Sequence, residues 1–133
     1  MSFFTIPYQI HFEDTMAYGS HHYLTNFRFQ CAIREALYFK SGVNGQELWK
    51  EDLANVVLLT YEGYSRNLAP LGLGDRVALL LTVGESTRSS MQLCLRVVSA
   101  DGTPVTVGYQ RFLCTARDTR QPLPLPPSMT QYA

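Results

Sequence analysis

An α+β fold, one long helix lying on a mainly antiparallel five-stranded sheet, is predicted from three observations. From Tyr23 to Phe39 the only formal charges are Arg28, Arg34 and Glu35, across a stretch long enough for several helical turns. Ahead of it, Thr5 to Phe12 alternates in the manner of a strand. Behind it, four strand-like runs follow one another with turn residues between them and no further long helix. A helix apolar on nearly every side is a buried helix. One sheet covers one side of it, so the remaining sides call for more cover, most simply a second copy of the chain.

The elements follow in order. Pro7 suggests that the first strand is an edge strand or a strand start. Glu13-Asp14-Thr15 leads into a tight turn at Tyr18-Gly19-Ser20, and Ser20 reads as the N-cap of the helix. The helix runs to about Lys40 and stops at Ser41-Gly42. The polar connection that follows has room for a short helix at Gln46 to Leu53. Strands are then expected at Val56 to Ser65, Arg76 to Glu85, Ser89 to Ser99 and Thr106 to Thr115, with Asp101-Gly102 as a hairpin signal. Strands in direct succession predict an antiparallel meander. The proline-rich tail, about residues 121–133, reads as extended and loose at its end. The whole chain, 1–133, is read as one domain.

Composition narrows the function classes. Formal net charge is zero, which argues against binding nucleic acid through bulk charge. The zero hides an asymmetry. Acids outnumber bases as far as Gly63, whereas the rest carries seven arginines, Arg66, Arg76, Arg88, Arg96, Arg111, Arg117 and Arg120. Arginine suits phosphate recognition, and scattered surface arginines are the plainer reading. Cys31, Cys94 and Cys114 are odd in number, lack CxxC spacing and stand among apolar residues, so buried, reduced thiols are expected. No apolar run reaches the roughly 18 residues of a membrane span, and a cytoplasmic protein without cofactor or metal is expected.

Particular residues carry a resemblance. Phe12-Glu13-Asp14-Thr15-Met16-Ala17-Tyr18-Gly19-Ser20-His21-His22 resembles the F-x-D-T-D-x-x-G-H pattern that leads into the helix of the hotdog-fold thioesterases of the 4-hydroxybenzoyl-CoA thioesterase-like branch. Leu68-Ala69-Pro70-Leu71-Gly72-Leu73-Gly74-Asp75 is similar to that family's R-P-L-x-x-G-D loop. The match is nearer still to the enediyne polyketide type. There an F-E-E-T-N-x-x-G segment precedes a helix with W-Q-G-x-x-R-E, and here Phe29-Gln30-Cys31-Ala32-Ile33-Arg34-Glu35 stands in the same register. The resemblance covers about Tyr8 to Pro126. It implies a single hotdog domain that hydrolyses an acyl or β-ketoacyl, polyketide-like thioester from an acyl carrier protein or CoA. It also implies a homodimer or a dimer-of-dimers tetramer, with no role for nucleic acid or membrane.

The departures matter equally. The family's catalytic carboxylate falls on Met16, which supplies neither base nor donor, so a carboxylate mechanism at that position is excluded. The usual tyrosine one turn into the helix falls on Asn26, and the G-H or G-N step becomes Gly19-Ser20. The resemblance therefore implies a rebuilt site. Its oxyanion and substrate-binding residues are Met16, Gly19, Ser20, Tyr23 and Asn26, with backbone N–H groups at the helix start facing the thioester carbonyl. Its catalytic residues are Arg34, His22 and Glu35. Helical spacing places Arg34 on the Leu24, Phe27, Cys31, Tyr38 face. There it would donate to a substrate carbonyl, or pair structurally with Glu13, Asp14 or a partner's acid. Glu35 would pair across an interface, hold Arg34 or act as base. His21 or His22 would activate water or simply occupy the cap region. A non-hydrolytic hotdog that binds acyl carriers, and a dehydratase or cyclase of the same fold, are the alternatives.

Overall fold

The structure, a computed structural model, describes residues 4–16, 20–21, 23–39 and 56–130. The expected Gln46–Leu53 helix and the stop at Lys40 to Gly42 lie outside them. The described elements are β1 (Phe4–Gln9), a 3-10 turn (Phe12–Asp14), β2 (Thr15–Met16), β3 (Ser20–His21) and α1 (Tyr23–Phe39). They continue with β4 (Val56–Asn67), β5 (Arg76–Ser86), β6 (Ser90–Ser99), β7 (Pro104–Ala116) and α2 (Pro127–Thr130). A five-stranded, wholly antiparallel sheet in the order β1-β5-β6-β7-β4 carries α1 on its inner face. The predicted α+β class holds, and Pro7 does lie in an edge strand.

The meander is corrected in part. β5, β6 and β7 are successive hairpin neighbours, but β4 pairs with β7 and not with β5. The chain crosses the end of the sheet between β4 and β5, three strand spacings or about 14 Å. The eight residues Leu68–Asp75 span that gap comfortably. They are held by Leu71 in the core and by the Leu68 and Ala69 N–H groups on the Val105 carbonyl.

Period-two alternation fills the inner face of the sheet. Val77, Leu79 and Leu81 of β5, Met91, Leu93, Leu95 and Val97 of β6, and Phe112 and Cys114 of β7 are all buried. From α1, Phe29, Ile33, Ala36 and Leu37 meet them at i, i+4, i+7 and i+8. The opposite flank of the helix is not buried within this chain. Tyr23 (69% exposed), Leu24 and Phe27 face outward, and so does Cys31. The expected burial of all three thiols holds for Cys114 and is corrected for Cys94, which is half-buried, and for Cys31, whose position repeats Tyr23 and Phe27 at four-residue intervals.

Two termini of elements also differ from expectation. Ser20 is not the N-cap; it pairs with Met16 in the β2–β3 ribbon, and the helix begins three residues later at Tyr23. The tail is anchored up to Thr130. The Leu123 N–H reaches the Cys114 carbonyl, the Leu125 N–H reaches Arg88, and Met129 is fully buried. A proline-rich strap has few N–H groups to donate, and the ones it has are used for docking.

Candidate functional site

Four polar residues of α1, Asn26, Gln30, Arg34 and Tyr38, recur every fourth position and so form one ridge. The ridge lies along the seam between β4 and β7, whose inward positions there are Thr106, Gly108, Gln110 and Phe112. Gln30 donates through Nε2 to the Tyr64 carbonyl at 3.0 Å and to Tyr109 at 3.4 Å. β-Carbon-free Gly108 makes this approach possible, since a Cβ there would run into the Tyr64 carbonyl.

Arg34 turns toward this seam. Its Nη1 donates to Thr60 Oγ1 at 2.6 Å and to Gln110 Oε1 at 2.7 Å. Its Nε and Nη2 donate to the Tyr38 hydroxyl at 3.1 and 2.9 Å. The guanidinium carbon stands 5.3 Å from the Phe112 ring centroid and 5.4 Å from that of Tyr38. Four of the five donors of the fork are therefore engaged with neutral partners, leaving one N–H on Nη2. This corrects the expected placement of Arg34 in the outward apolar stripe. It also sets aside pairing with Asp14. Burial pushes the Tyr38 phenol up, with the Arg34 cation acting against it.

Asp14 belongs to Arg28 instead. Its fully buried carboxylate accepts from Arg28 Nη1 at 3.0 Å, from the His11 N–H at 2.9 Å and from the Tyr8 hydroxyl at 3.0 Å. Burial alone raises its pKa, but the bonds from His11, Arg28 and Tyr8 outweigh that and hold it below the usual carboxylate value. Burial and the same carboxylate push Tyr8 up to about 12. Thr25 Oγ1 donates to the Asp14 carbonyl at 2.8 Å, fastening this turn to the first coil of the helix.

The end of the ridge nearest the β2–β3 ribbon holds a second polar group. His21 is 6% exposed and Asn26 3%. His21 Nε2 lies 3.1 Å from Asn26 Oδ1 and 3.0 Å from Asn67 Oδ1. Asn26 Nδ2 donates to Asn67 Oδ1 at 2.6 Å, and Thr106 Oγ1 donates to Asn26 Oδ1 at 3.3 Å. Nε2 faces two carbonyl-type oxygens, so it carries the ring proton. The ring's other nitrogen, Nδ1, is buried and has no partner among the described residues. A cavity of about 420 Å³ adjoins this group, lined by His21, Asn67, Leu68, Ala69 and Pro70. Two others, of about 350 and 310 Å³, are each lined in part by Arg76, toward the β1–β5 edge of the sheet. Arg34 lines none of the three.

The remaining expected site residues are distributed around the helix start. Met16 is 58% exposed in β2 and Tyr23 opens α1. The Ser20 backbone pairs with Met16. Glu35 is exposed on the outward flank, one position round from Arg34. Gly19 and His22 lie outside the described residues. Asn26 points inward and holds Asn67. Asn67 and Gln110 were not singled out from the sequence, and His21, read there as a water activator or a cap-region residue, is instead buried against Asn26 and Asn67. The signal for the ridge is there, in the four-residue recurrence of Asn26, Gln30, Arg34 and Tyr38. Its partners on β4 and β7 carry no comparable mark. Among the described residues no cluster of three or more His, Cys, Asp or Glu could hold a metal, and no helix is long and apolar enough to cross a membrane.

Comparison with known proteins places these features. A family profile described as the thioesterase-like superfamily matches residues 14–132. No curated protein matches the chain in sequence. Among solved structures, the Dynemicin thioesterase superposes with a TM-score of 0.80 at 18% identity, over 98% of this chain and 96% of its own. A 1,4-dihydroxy-2-naphthoyl-CoA thioesterase from Synechocystis gives 0.78 at 17% identity, over 97% and 93%. A hypothetical protein from Staphylococcus aureus in complex with CoA gives 0.79 at 21% identity, over 97% and 80%.

Proposed function

The chain belongs to the thioesterase-like superfamily, and from that premise we propose that it hydrolyses an acyl or β-ketoacyl thioester carried on an acyl carrier protein or CoA. The observation that carries this reading is the outward flank of α1. Tyr23, Leu24 and Phe27, with Met16 beside the helix start, present apolar surface that one chain leaves uncovered. A second copy closing over that flank would leave a slot lined by these side chains, fit for an acyl chain, and the active assembly is a homodimer or a dimer of dimers.

In this reading the thioester carbonyl sits beside the β2–β3 ribbon, where amides at the start of α1 stabilise its developing negative charge. Water attacks the carbonyl carbon and the C–S bond breaks. The water's proton passes to a base and then to the departing thiolate. His22 is the candidate base and Glu35 the alternative, since Met16 can accept no proton. Arg34 contributes its remaining Nη2 N–H to the substrate, and its other bonds hold the fork rigid.

Thiol release from acyl-pantetheine thioesters of several chain lengths tests this, with Arg34→Lys and His22→Ala alongside. Release above background that falls at least tenfold in either variant supports the reading. Release no faster than background at every chain length refutes it. Met16 supports a second reading, an acyl-carrier-binding hotdog without turnover. Saturable binding of the same thioesters without thiol release identifies that case.

A further inference from the structure

We infer that Asn67 is a fixed hydrogen-bond donor for a neutral carbonyl oxygen of the thioester substrate, in the cavity at the foot of α1. The inference rests on the thioester reading above and extends it to a site away from Arg34. Its ground is the orientation of one amide. Asn67 Oδ1 is drawn inward by Asn26 Nδ2 at 2.6 Å and by the Nε2–H of His21 at 3.0 Å. A side-chain amide is planar, with oxygen and nitrogen on opposite arms. Fixing the oxygen inward therefore sends Nδ2 the other way, and no described residue accepts from it. Asn67 is exposed and lines the cavity of about 420 Å³. The group that would receive these two N–H donors is thus not supplied by the described fold.

The surroundings select the ligand. His21 is turned away through Nε2, and the other lining residues are Leu68, Ala69 and Pro70. Among the described residues the lining contains no Lys or Arg, so a phosphate or carboxylate would find no guanidinium or ammonium there. A neutral acceptor flanked by apolar atoms fits, and the volume is that of a small-ligand pocket. Two parts of a thioester substrate have that chemistry, the amides of the carrier's pantetheine-type arm and a β-keto oxygen of the acyl group. His21, Asn26 and Thr106 are positioning residues. They touch Asn67 or its holder, and they are nearly sealed from solvent. A freely rotating Asn would lose entropy on binding, whereas this one has already lost it.

The test uses Asn67→Asp, which keeps an oxygen facing Asn26 and His21 but replaces the two donors with an acceptor. Free pantetheine is titrated into the ¹⁵N-labelled full chain while the Asn67 side-chain NH₂ resonances are followed. An alkanethiol of equal length without amides serves as control. KM is measured for β-keto and saturated acyl thioesters of pantetheine and of the alkanethiol. The expected result is a carbonyl-dependent loss in Asn67→Asp of about 3- to 10-fold in affinity or KM, the size of one hydrogen bond. If the loss follows the amide-bearing arm, the arm is the ligand; if it follows the β-keto group, the acyl chain is. Equal loss on the saturated alkanethiol thioester, which lacks both the amides and the β-keto oxygen, or no loss at all, overturns the assignment. Pantetheine is not hydrolysed, so an NH₂ shift without turnover preserves this inference while removing the hydrolase reading. Turnover without a carbonyl-dependent loss does the reverse.

Discussion

Replacing Asp14 by Asn removes one negative charge at an unchanged size, and the structure allows the cost to be worked out. One carboxylate oxygen accepts from the His11 N–H and the Tyr8 hydroxyl, the other from Arg28. Asparagine turns one of those oxygens into an NH₂, which must then face a donor on whichever side it lies. Bonds to a charged acceptor are each worth about 1.5–3 kcal/mol, and breaking a buried pair costs about 3–5 kcal/mol. The Arg28 side chain is 42% exposed, and solvent recovers part of its share. A loss of about 2–4 kcal/mol follows. With about 2.1 cal/mol/K per residue over 133 residues, the unfolding entropy is about 0.28 kcal/mol/K, so the melting temperature drops by about 10 °C. The effect has a pH signature. Asp14 is held below its ordinary pKa in the folded chain. Its stabilisation is therefore fully present above the unfolded value, near 4, and disappears as pH falls through the lower folded value. Melting curves of both proteins by circular dichroism between pH 7 and 2.5 check this. The gap between them should close below pH 4. A gap as wide at pH 3 as at pH 7, or a loss under about 1 kcal/mol at neutral pH, would refute the account of a charged, triply bonded carboxylate.

Other outcomes are expected on the same grounds. Tyr8, pushed up to about 12 by burial and by Asp14, should titrate well above the ordinary tyrosine value in an ultraviolet titration; its contribution to stability is present below pH 10 and disappears toward 12, and Tyr8→Phe should abolish that alkaline step. Gly108→Ala should lose about 1–3 kcal/mol by urea denaturation, because its new Cβ meets the Tyr64 carbonyl. Arg34→Met should destabilise by about 1–3 kcal/mol by removing the donor that the Gln110 amide oxygen and the Thr60 hydroxyl share; an unchanged denaturation midpoint would mean that the ridge is not structural. A thiol reagent should modify Cys31 before Cys94, and Cys114 only on unfolding. Protection of Cys31 that grows with protein concentration would support closure of a second copy over the outward flank.

The class of fold was legible because it depends on local periodicity. An apolar stretch of helical length, alternating runs and an Asp-Gly turn report on neighbours within a few residues. Family membership was legible from the spacing of Phe12 to Gly19 and Phe29 to Glu35. Strand order was not, since the β4–β5 crossover depends on which edge offers β4 a partner, and β7 lies almost fifty residues downstream. The role of Arg34 divides in the same way. A guanidinium in an apolar helix announced that something satisfies it, but Thr60 and Gln110 reach it only because β4 and β7 pair beneath that turn of the helix. His21 shows the limit most clearly. Its place next to His22 gives no sign of burial, and only the meeting of the β2–β3 ribbon, the helix start and the last residue of β4 puts Asn26 and Asn67 within reach of one ring nitrogen. Local backbone preference acts over a turn or two, whereas a buried polar group is satisfied by whatever the packed chain brings to it.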